Sequence, residues 1–388
     1  MAAGRTDAVE SKTEWAAMAG VIATVTVFAV AQGLTYPLLS FILQRQGVPP
    51  ALIGFSAAMT PLGFILSAPI IPWLSRRFGS GRLTIGCAGT AAVLLVLIGW
   101  TQDVWLWFPL RFLLGFFANP LYVVSETWLI AITPPAKRGR IMGVYTSIVS
   151  AGFALGPLTL SIVGTEGWAP FSVGISAFVL CGLILVAVLP RLPAMDNERH
   201  QTSVAGFLRV APLLVFAVFT AAAFEQTLLA LFAIYGTGYG SSEQRIASLL
   251  TAFILGNVAL QVPFGAMAER VGARRMMALC GVAAVLGSML LPLLFATWII
   301  WPVIFVWGAV SFGIYTMALI ELGEKFSGAM LMTGNAAFAL VWGIGGIAGP
   351  PGTGALIGLI GIQGLPIGLG ILCGALVLAV LSGRRATT

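Results

Sequence analysis

The amino-acid sequence predicts an all-α integral membrane protein, with twelve transmembrane helices that form two pseudo-symmetric six-helix bundles. Three observations support this fold class. The 388 residues are 59% hydrophobic and only 9% charged, whereas soluble domains average about 25% charged residues. The apolar residues fall into twelve long runs, and landmarks of the first half of the chain recur in the second half.

The twelve apolar runs are separated by turns rich in glycine, proline and charge. About 20 apolar residues are needed for a helix to cross the hydrocarbon core of a bilayer. The run that follows residues 1–14 is too long for the core of a signal peptide, so we expect it to be retained. The predicted spans lie near residues 17–43, 51–74, 83–101, 104–132, 141–163, 168–189, 209–236, 246–268, 276–296, 299–322, 328–357 and 362–382.

A polar stretch at residues 191–203 divides six spans from six. The sequence therefore predicts an N-terminal bundle over residues 1–190, a cytoplasmic linker over 191–208 and a C-terminal bundle over 209–388. A constant spacing of 193 residues relates the two halves, which is typical of parallel-repeat transporters. Pairs with this spacing include Gly63 and Gly256, Arg77 and Arg270, Arg82 and Arg275, Cys87 and Cys280, Gly115 and Gly308, Tyr122 and Tyr315, and Pro157 and Pro350.

The positions of lysine and arginine predict the orientation. With both termini in the cytoplasm, 17 of the 20 basic residues face the cytoplasm, Arg45 and Arg245 lie on outer turns, and Arg111 lies inside a helix. This is a strong positive-inside bias, and it predicts a multi-pass protein of the cell inner (plasma) membrane. The basic residues face anionic lipid, so the net charge of +7 does not indicate nucleic acid as a partner.

The side-chain inventory argues against an enzyme. The four cysteines lie in apolar runs without CxxC spacing, and the single histidine, His200, lies in the central polar stretch. These patterns indicate neither disulfides nor a metal site, and no nucleophile–base pair can be assembled. We expect no cofactor, and protons, a small-molecule substrate and the lipid bilayer as partners.

Charged residues inside the predicted helices are the candidates for proton coupling. Each costs about 2.5–3.5 kcal/mol at a helix centre, so such residues are expected to be functional. Glu225 is the lead proton carrier, with a protonated glutamate bonded to a neighbouring helix as the alternative. Glu126 either binds a proton or cation, or pairs with Arg77 or Arg138 as a gate. Arg111 either acts on a nearby carboxylate or holds an anionic substrate.

Aromatic and amide side chains in the same helices are the predicted substrate contacts. A cavity with many aromatic and few charged side chains suits an amphipathic or largely apolar solute. The alternative for each aromatic is packing or contact with lipid. The predicted contacts are Gln32, Tyr36, Asn119, Tyr122, Trp128, Tyr235, Tyr315, Asn335 and Trp342.

Twelve spans, the repeat and the central loop resemble the major facilitator superfamily, and its loop motif G-x-x-x-D-R-x-G-R-R agrees. The second half reads GAMAERVGARR (265–275), with Glu269 as the acid, whereas PWLSRRFGSGR (72–82) has Arg76 at that position. The resemblance implies that charged residues at these loops gate the cytoplasmic side; the alternative is that they only set the topology. The gating residues are Arg76, Arg77, Arg82, Arg138, Glu269, Arg270 and Arg275.

Two further motifs carry the resemblance. RFLLG (111–115) looks like the fourth-helix motif of the superfamily, and GFALGP (152–157) looks like the fifth-helix motif typical of its antiporters. Small residues four apart let helices approach closely. The resemblance implies that the fifth and eleventh helices pack against the opposite half. The packing residues are Gly152, Gly156, Pro157, Gly349 and Pro350.

The stretch SETWL (125–129) followed by KRGR (137–140) is similar to the YcaD-like bacterial permeases. We expect a monomeric, proton-coupled secondary transporter that exports a small organic, amphipathic solute by alternating access. One alternative is a proton-symporting uptake permease for a small organic anion. An alternative of another class is a non-transporting membrane receptor or scaffold.

Overall fold

The computed structural model describes the backbone of residues 3–133, 138–192 and 204–385. Within these ranges the regular structure is helical, apart from turns. The helices are α1 (Ala3–Arg45), α2 (Pro50–Ser67), α3 (Ile71–Phe78), α4 (Ser80–Thr101), α5 (Val104–Ile132), α6 (Arg138–Val163), α7 (Ala169–Val188), α8 (Val204–Val210), α9 (Pro212–Gly238), α10 (Glu243–Val271), α11 (Ala273–Leu294), α12 (Ile300–Lys325), α13 (Gly328–Ile360) and α14 (Gly364–Arg385).

Among the described helices, twelve are long and apolar enough to cross a membrane, namely all except α3 and α8. Each of the twelve overlaps one predicted span. The prediction of an all-α membrane protein with twelve spans is therefore confirmed.

The second predicted span, residues 51–74, is wrong at its C-terminal end. Helix α2 ends at Ser67, and a turn over residues 68–70 separates it from α3. Pro69 cannot donate a backbone hydrogen bond to α2, and Pro72 occupies the first turn of α3, where no such donor is needed. The two prolines therefore divide one apolar run into two helices.

Contacts divide the chain into two compact units. Unit 1 consists of Met1–Thr35, Leu62–Thr159 and Glu166–Arg199. Unit 2 consists of Tyr36–Pro61, Leu160–Thr165 and His200–Thr388. Unit 2 therefore contains two segments from the first half of the chain. One ends α1 and begins α2, and the other ends α6.

The same close helix crossing recurs in each unit. In unit 1, Gly63 of α2 lies against the carbonyl oxygen of Phe112 in α5. In unit 2, Gly256 of α10 lies against the carbonyl oxygen of Phe305 in α12. A Cβ atom on either glycine would overlap that oxygen, so a larger residue would push the helices apart. Since the two contacts are related by the spacing of 193 residues, the sequence repeat is also a repeat of packing.

The glycines of α6 pack within their own half of the chain. Gly152 lies against Thr26 of α1, and Gly156 lies against Gly33 of the same helix, all within unit 1. These two glycines therefore do not supply a contact with the opposite half, and the packing of the fifth helix against that half stays a prediction. The pair α1 and α6 belongs to one bundle, and its close approach is what the small residues permit.

Within unit 2, helix α13 contacts a helix of its own half and a helix of the first half. Its Gly349 lies against Ala223 of α9, a helix of the same half. The carbonyl of its Pro350 lies against Gly54 of α2, a helix of the first half. Neighbouring positions of α13 therefore contact a helix of each half.

Candidate functional site

Two positions related by the repeat hold buried polar groups. Glu225 of α9 in unit 2 is 8% exposed, and Gln32 of α1 in unit 1 is 5% exposed. Glu225 Oε2 and Gln32 Nε2 find no hydrogen-bond partner among the described residues. A buried polar group without a partner costs about 1–3 kcal/mol. Both positions therefore keep polar groups at a cost in stability, which is typical of functional positions.

The residue before Glu225 packs among aromatic rings. Phe224 stacks on Phe253 of α10 and meets the ring of Trp307 edge to face, at centroid distances of 6.3 and 4.8 Å. Thr227, two residues further along α9 and beside Gly349 of α13, is fully buried and its hydroxyl has no partner among the described residues. The described part of the chain supplies no ion-pair partner for the Glu225 carboxyl group.

Four residues at helical spacing along α5 differ in exposure. Arg111 is 1% exposed and Gly115 is buried, Tyr122 is 38% exposed, and Glu126 is partly buried. The first two positions are therefore enclosed within unit 1, and the last two keep accessible surface.

Tyr145 joins this face and was missed by the sequence reasoning. It lies on α6, is 2% exposed, and its hydroxyl has no hydrogen-bond partner among the described residues. It is close enough to interact electrostatically with Tyr122 and Glu126. The sequence around it, VYTSIVS (144–150), gave no signal that sets this tyrosine apart from its polar neighbours. The structure thus gathers a carboxyl group and two phenols, the Tyr122–Glu126–Tyr145 cluster, in unit 1.

Two predicted substrate contacts of unit 1 serve packing in this structure. Asn119 Nδ2 donates to the carbonyl oxygen of Phe64 and to Ser67 Oγ, both at 2.9 Å, and ties α5 to α2. Trp128 is 1% exposed. Their roles in substrate binding stay predictions.

The predicted contacts of unit 2 differ in exposure. Tyr36 is buried, and Tyr235 is fully buried with its hydroxyl 3.4 Å from that of Tyr239. Tyr315 is partly buried and meets the partly buried Trp342 edge to face at a centroid distance of 4.9 Å. Asn335 is exposed on α13. Tyr315 and Trp342 therefore form the aromatic pair of this unit that keeps accessible surface.

An amide chain in unit 2 was also missed. Thr316 Oγ1 of α12 donates to Gln261 Oε1 of α10 at 2.6 Å, and Gln261 Nε2 donates to Asn257 Oδ1. The sequence signal was an amide pair four residues apart in an apolar run, with both side chains on one helical face.

The predicted gating residues lie at the α3–α4 and α10–α11 turns. Those described are exposed, and no ion pair joins any of them to another described residue, so Glu126 does not pair with Arg77 here. The side chain of Arg138 lies outside the described residues. The exposed set comprises Arg76, Arg77, Arg82, Glu269, Arg270 and Arg275.

A polar cluster in unit 2 joins three distant segments. Arg45 Nη1, at the end of α1, donates to Thr165 Oγ1 at 2.9 Å and to Glu243 Oε2 at 2.8 Å. Arg45 Nη2 donates to the Thr165 carbonyl at 2.8 Å, and the Thr165 hydroxyl also donates to Glu243. We call it the Arg45–Thr165–Glu243 cluster; it fixes the end of α1 to the start of α10.

Comparisons with known proteins place these features in a family. The family model described as Major Facilitator Superfamily matches residues 21–224 and 214–387. The chain is 24% identical over 339 residues to the uncharacterized MFS-type transporter YfkF of Bacillus subtilis, covering 85% of this chain and 86% of that protein. It is 25% identical over 327 residues to the uncharacterized MFS-type transporter YcaD of Escherichia fergusonii, covering 81% and 82%.

Solved structures show the same fold. The crystal structure of the nucleoside transporter NupG superposes with a TM-score of 0.77 at 13% identity, covering 95% of this chain and 98% of that one. A bacterial homologue of the human lysosomal transporter Spinster, in an inward-facing and unoccupied conformation, gives a TM-score of 0.68 at 14% identity, covering 96% and 95%.

Proposed function

Because this chain belongs to the major facilitator superfamily, and is thus a multi-pass membrane transporter, we propose that it exchanges protons for a small organic, amphipathic solute and thereby exports the solute. Transport proceeds by alternating access in the inner membrane, with both termini cytoplasmic and the chain working as a monomer. Members with two parallel repeats bind solute near the bilayer midplane and open to one side at a time.

The observation that carries proton coupling is the state of Glu225. It is buried within a membrane-spanning helix, and one of its oxygens has no partner among the described residues. An ionisable side chain in such a place binds and releases a proton at lower cost than it holds a permanent charge. The Tyr122–Glu126–Tyr145 cluster of unit 1 offers a second carboxyl group.

The substrate class rests on the accessible aromatic side chains. Tyr315 and Trp342 of unit 2 and Tyr122 of unit 1 keep exposed ring surface. Rings of this kind bind apolar and amphipathic solutes better than small ions.

Alternating access requires contacts that shut one side of the protein and then break when that side opens. The Arg45–Thr165–Glu243 cluster lies at the outer ends of its helices in the proposed orientation. The charged turns at α3–α4 and α10–α11 lie on the cytoplasmic side and supply the opposite closure.

Proton coupling is tested by Glu225→Gln in liposomes that contain purified protein. An imposed pH gradient should drive solute transport by the wild type but not by the variant, which should still exchange solute for solute. Glu324→Gln, which removes an exposed carboxyl group at the end of α12, is the matched control and should behave as wild type. Unchanged gradient-driven transport by Glu225→Gln would contradict the proposal that Glu225 couples transport to protons.

The burial of Arg111 favours a second candidate, uptake of a small organic anion together with protons. At 1% exposure its guanidinium lies within unit 1, where it can hold a carboxylate with charge-assisted hydrogen bonds. A bound ligand raises the melting temperature, so a ligand panel at about pH 6 and about pH 8 separates the candidates. Stabilisation by organic anions that is stronger at the lower pH, and lost in Arg111→Ala, supports uptake. Stabilisation by apolar compounds that is stronger at the higher pH supports exchange.

A further inference from the structure

The hydrogen bonds that link Thr316 of α12 to Gln261 and Asn257 of α10 all run in one direction, from donor to acceptor. Thr316 Oγ1 lies 2.6 Å from Gln261 Oε1 but 3.3 Å from the carbonyl oxygen of Phe312 in its own helix, so its hydrogen points to Gln261. This fixes the Gln261 carbonyl toward Thr316 and its NH₂ group toward Asn257 Oδ1. Asn257 takes part through Oδ1, so its Nδ2 hydrogens are not used in these bonds.

These two hydrogens are not used inside unit 2. Asn257 is 5% exposed, at the midpoint of α10, and its Nδ2 donates to no described residue. A buried amide normally finds partners for its donors. An unused donor pair at the middle of a membrane-spanning helix is therefore a position that a ligand can complete.

The corresponding crossing in unit 1 shows the contrast. There, Asn119 Nδ2 donates both of its hydrogens within the pair of helices α2 and α5, to the Phe64 carbonyl and to Ser67 Oγ. The amide at the crossing in unit 1 thus has partners for both donors, whereas the amide at the crossing in unit 2 does not.

The two helices of this crossing offer no charged side chain that would favour an ionised partner for these donors. Residues 246–268 of α10 and 300–320 of α12 contain no lysine, arginine, aspartate or glutamate. An anion placed there would lose hydration without a compensating charge, which costs far more than the burial of a neutral acceptor. On α12, Tyr315 directly precedes Thr316 and forms the partly buried aromatic pair with Trp342.

We propose that Asn257 determines substrate specificity by donating from Nδ2 to a carbonyl oxygen or ring nitrogen of an uncharged solute, whose apolar part contacts Tyr315 and Trp342. Gln261 and Thr316 position the amide and do not themselves need to touch the solute. This rests on the proposed function only in that the protein transports an organic solute, and it is independent of the direction of transport and of proton coupling.

The test compares neutral compounds that differ only in the acceptor, quinoxaline with naphthalene and 1-indanone with indane. Binding is measured as the concentration dependence of the melting temperature of the purified full-length protein. The wild type should prefer the acceptor-bearing member of each pair. Asn257→Leu should weaken binding of that member about ten-fold and leave its partner unchanged.

Two variants keep the test decisive if Asn257→Leu does not fold. Thr316→Val removes only the hydroxyl that orients Gln261, and it should reduce the preference partly. Ser288→Ala, which removes a hydroxyl bonded within α11, should leave it intact. No preference in the wild type, or an undiminished preference in both Asn257→Leu and Thr316→Val, would overturn the proposal. Since binding needs no pH gradient, failure of proton coupling leaves this result unaffected.

Discussion

Arg45 Nη1 lies 2.8 Å from Glu243 Oε2 and joins the first helix of one half of the chain to a helix of the other half. Thr165, which is 3% exposed, accepts from both terminal nitrogens of the guanidinium and donates to the same carboxylate. The side chains of Arg45 and Glu243 keep 33% and 18% of their surface exposed, so the pair is partly screened by water. It is thus a contact of modest strength, which suits a closure that forms and breaks.

Reversing one charge of this pair should loosen the closure. In Arg45→Glu the two carboxylates repel, and a cysteine placed at Ser40, which is fully buried on α1, should react faster with a membrane-impermeant thiol reagent. The measurement uses a background in which the four native cysteines are replaced. Combining Arg45→Glu with Glu243→Arg should restore slow labelling, because the pair is rebuilt in reverse. Labelling that stays slow in Arg45→Glu would show that the pair does not control access.

The Asn119 amide should contribute to stability as well as to any contact with solute. Asn119→Leu removes the donor that serves Phe64 and Ser67, and interhelical hydrogen bonds in membranes are worth about 0.6–1.7 kcal/mol. The melting temperature should fall. Ser67→Ala removes one of the two partners and should lower it less. An unchanged melting temperature in Asn119→Leu would mean that α2 and α5 are held by their apolar contacts alone.

The membrane spans and the family could be predicted from the sequence because they depend on local composition and on the internal repeat. Length and hydropathy fix a span, and the spacing of 193 residues paired Gly63 with Gly256, which occupy equivalent helix crossings in the structure. The family matches confirm the assignment to the major facilitator superfamily and include YcaD among the relatives. The end of α2 at Ser67 could also have been predicted from Pro69 and Pro72, which lie shortly before charged residues. The apolar run around these prolines suggested one continuous span instead.

Side-chain partners could not be predicted because they depend on tertiary contacts. Arg45 and Glu243 are 198 residues apart, and Thr165 lies 120 residues from Arg45. Nothing in either local sequence distinguishes a paired arginine from one that only sets topology. The amide chain was missed for a related reason, since the spacing of Asn257 and Gln261 places them on one helical face but does not show that Thr316 of α12 lies against them.

The crossing of α10 and α12 should be sensitive to a single methyl group. In Gly256→Ala the new Cβ overlaps the Phe305 carbonyl oxygen, and because backbone cannot rotate away as a side chain can, overpacking of about 1–3 kcal/mol is expected. Gly265→Ala on the same helix meets no atom within 4 Å and should be neutral or slightly stabilising, since alanine favours helix. The check is thermal unfolding of the two purified variants. Equal melting temperatures would mean that the helices separate without cost.

Tyr145 should matter for transport and not for folding. Its hydroxyl is buried without a hydrogen-bond partner among the described residues, so Tyr145→Phe removes an unsatisfied polar group and should leave the melting temperature unchanged or raise it. Because the neutral phenol lies near Glu126, its loss should make the surroundings of that carboxyl group less polar and shift the pH dependence of transport. Tyr235→Phe, in which the lost hydroxyl is bonded to Tyr239, is the control and should lower the melting temperature without shifting the pH profile. A Tyr145→Phe variant with wild-type transport at every pH would remove Tyr145 from the mechanism and leave Glu126 to act without it.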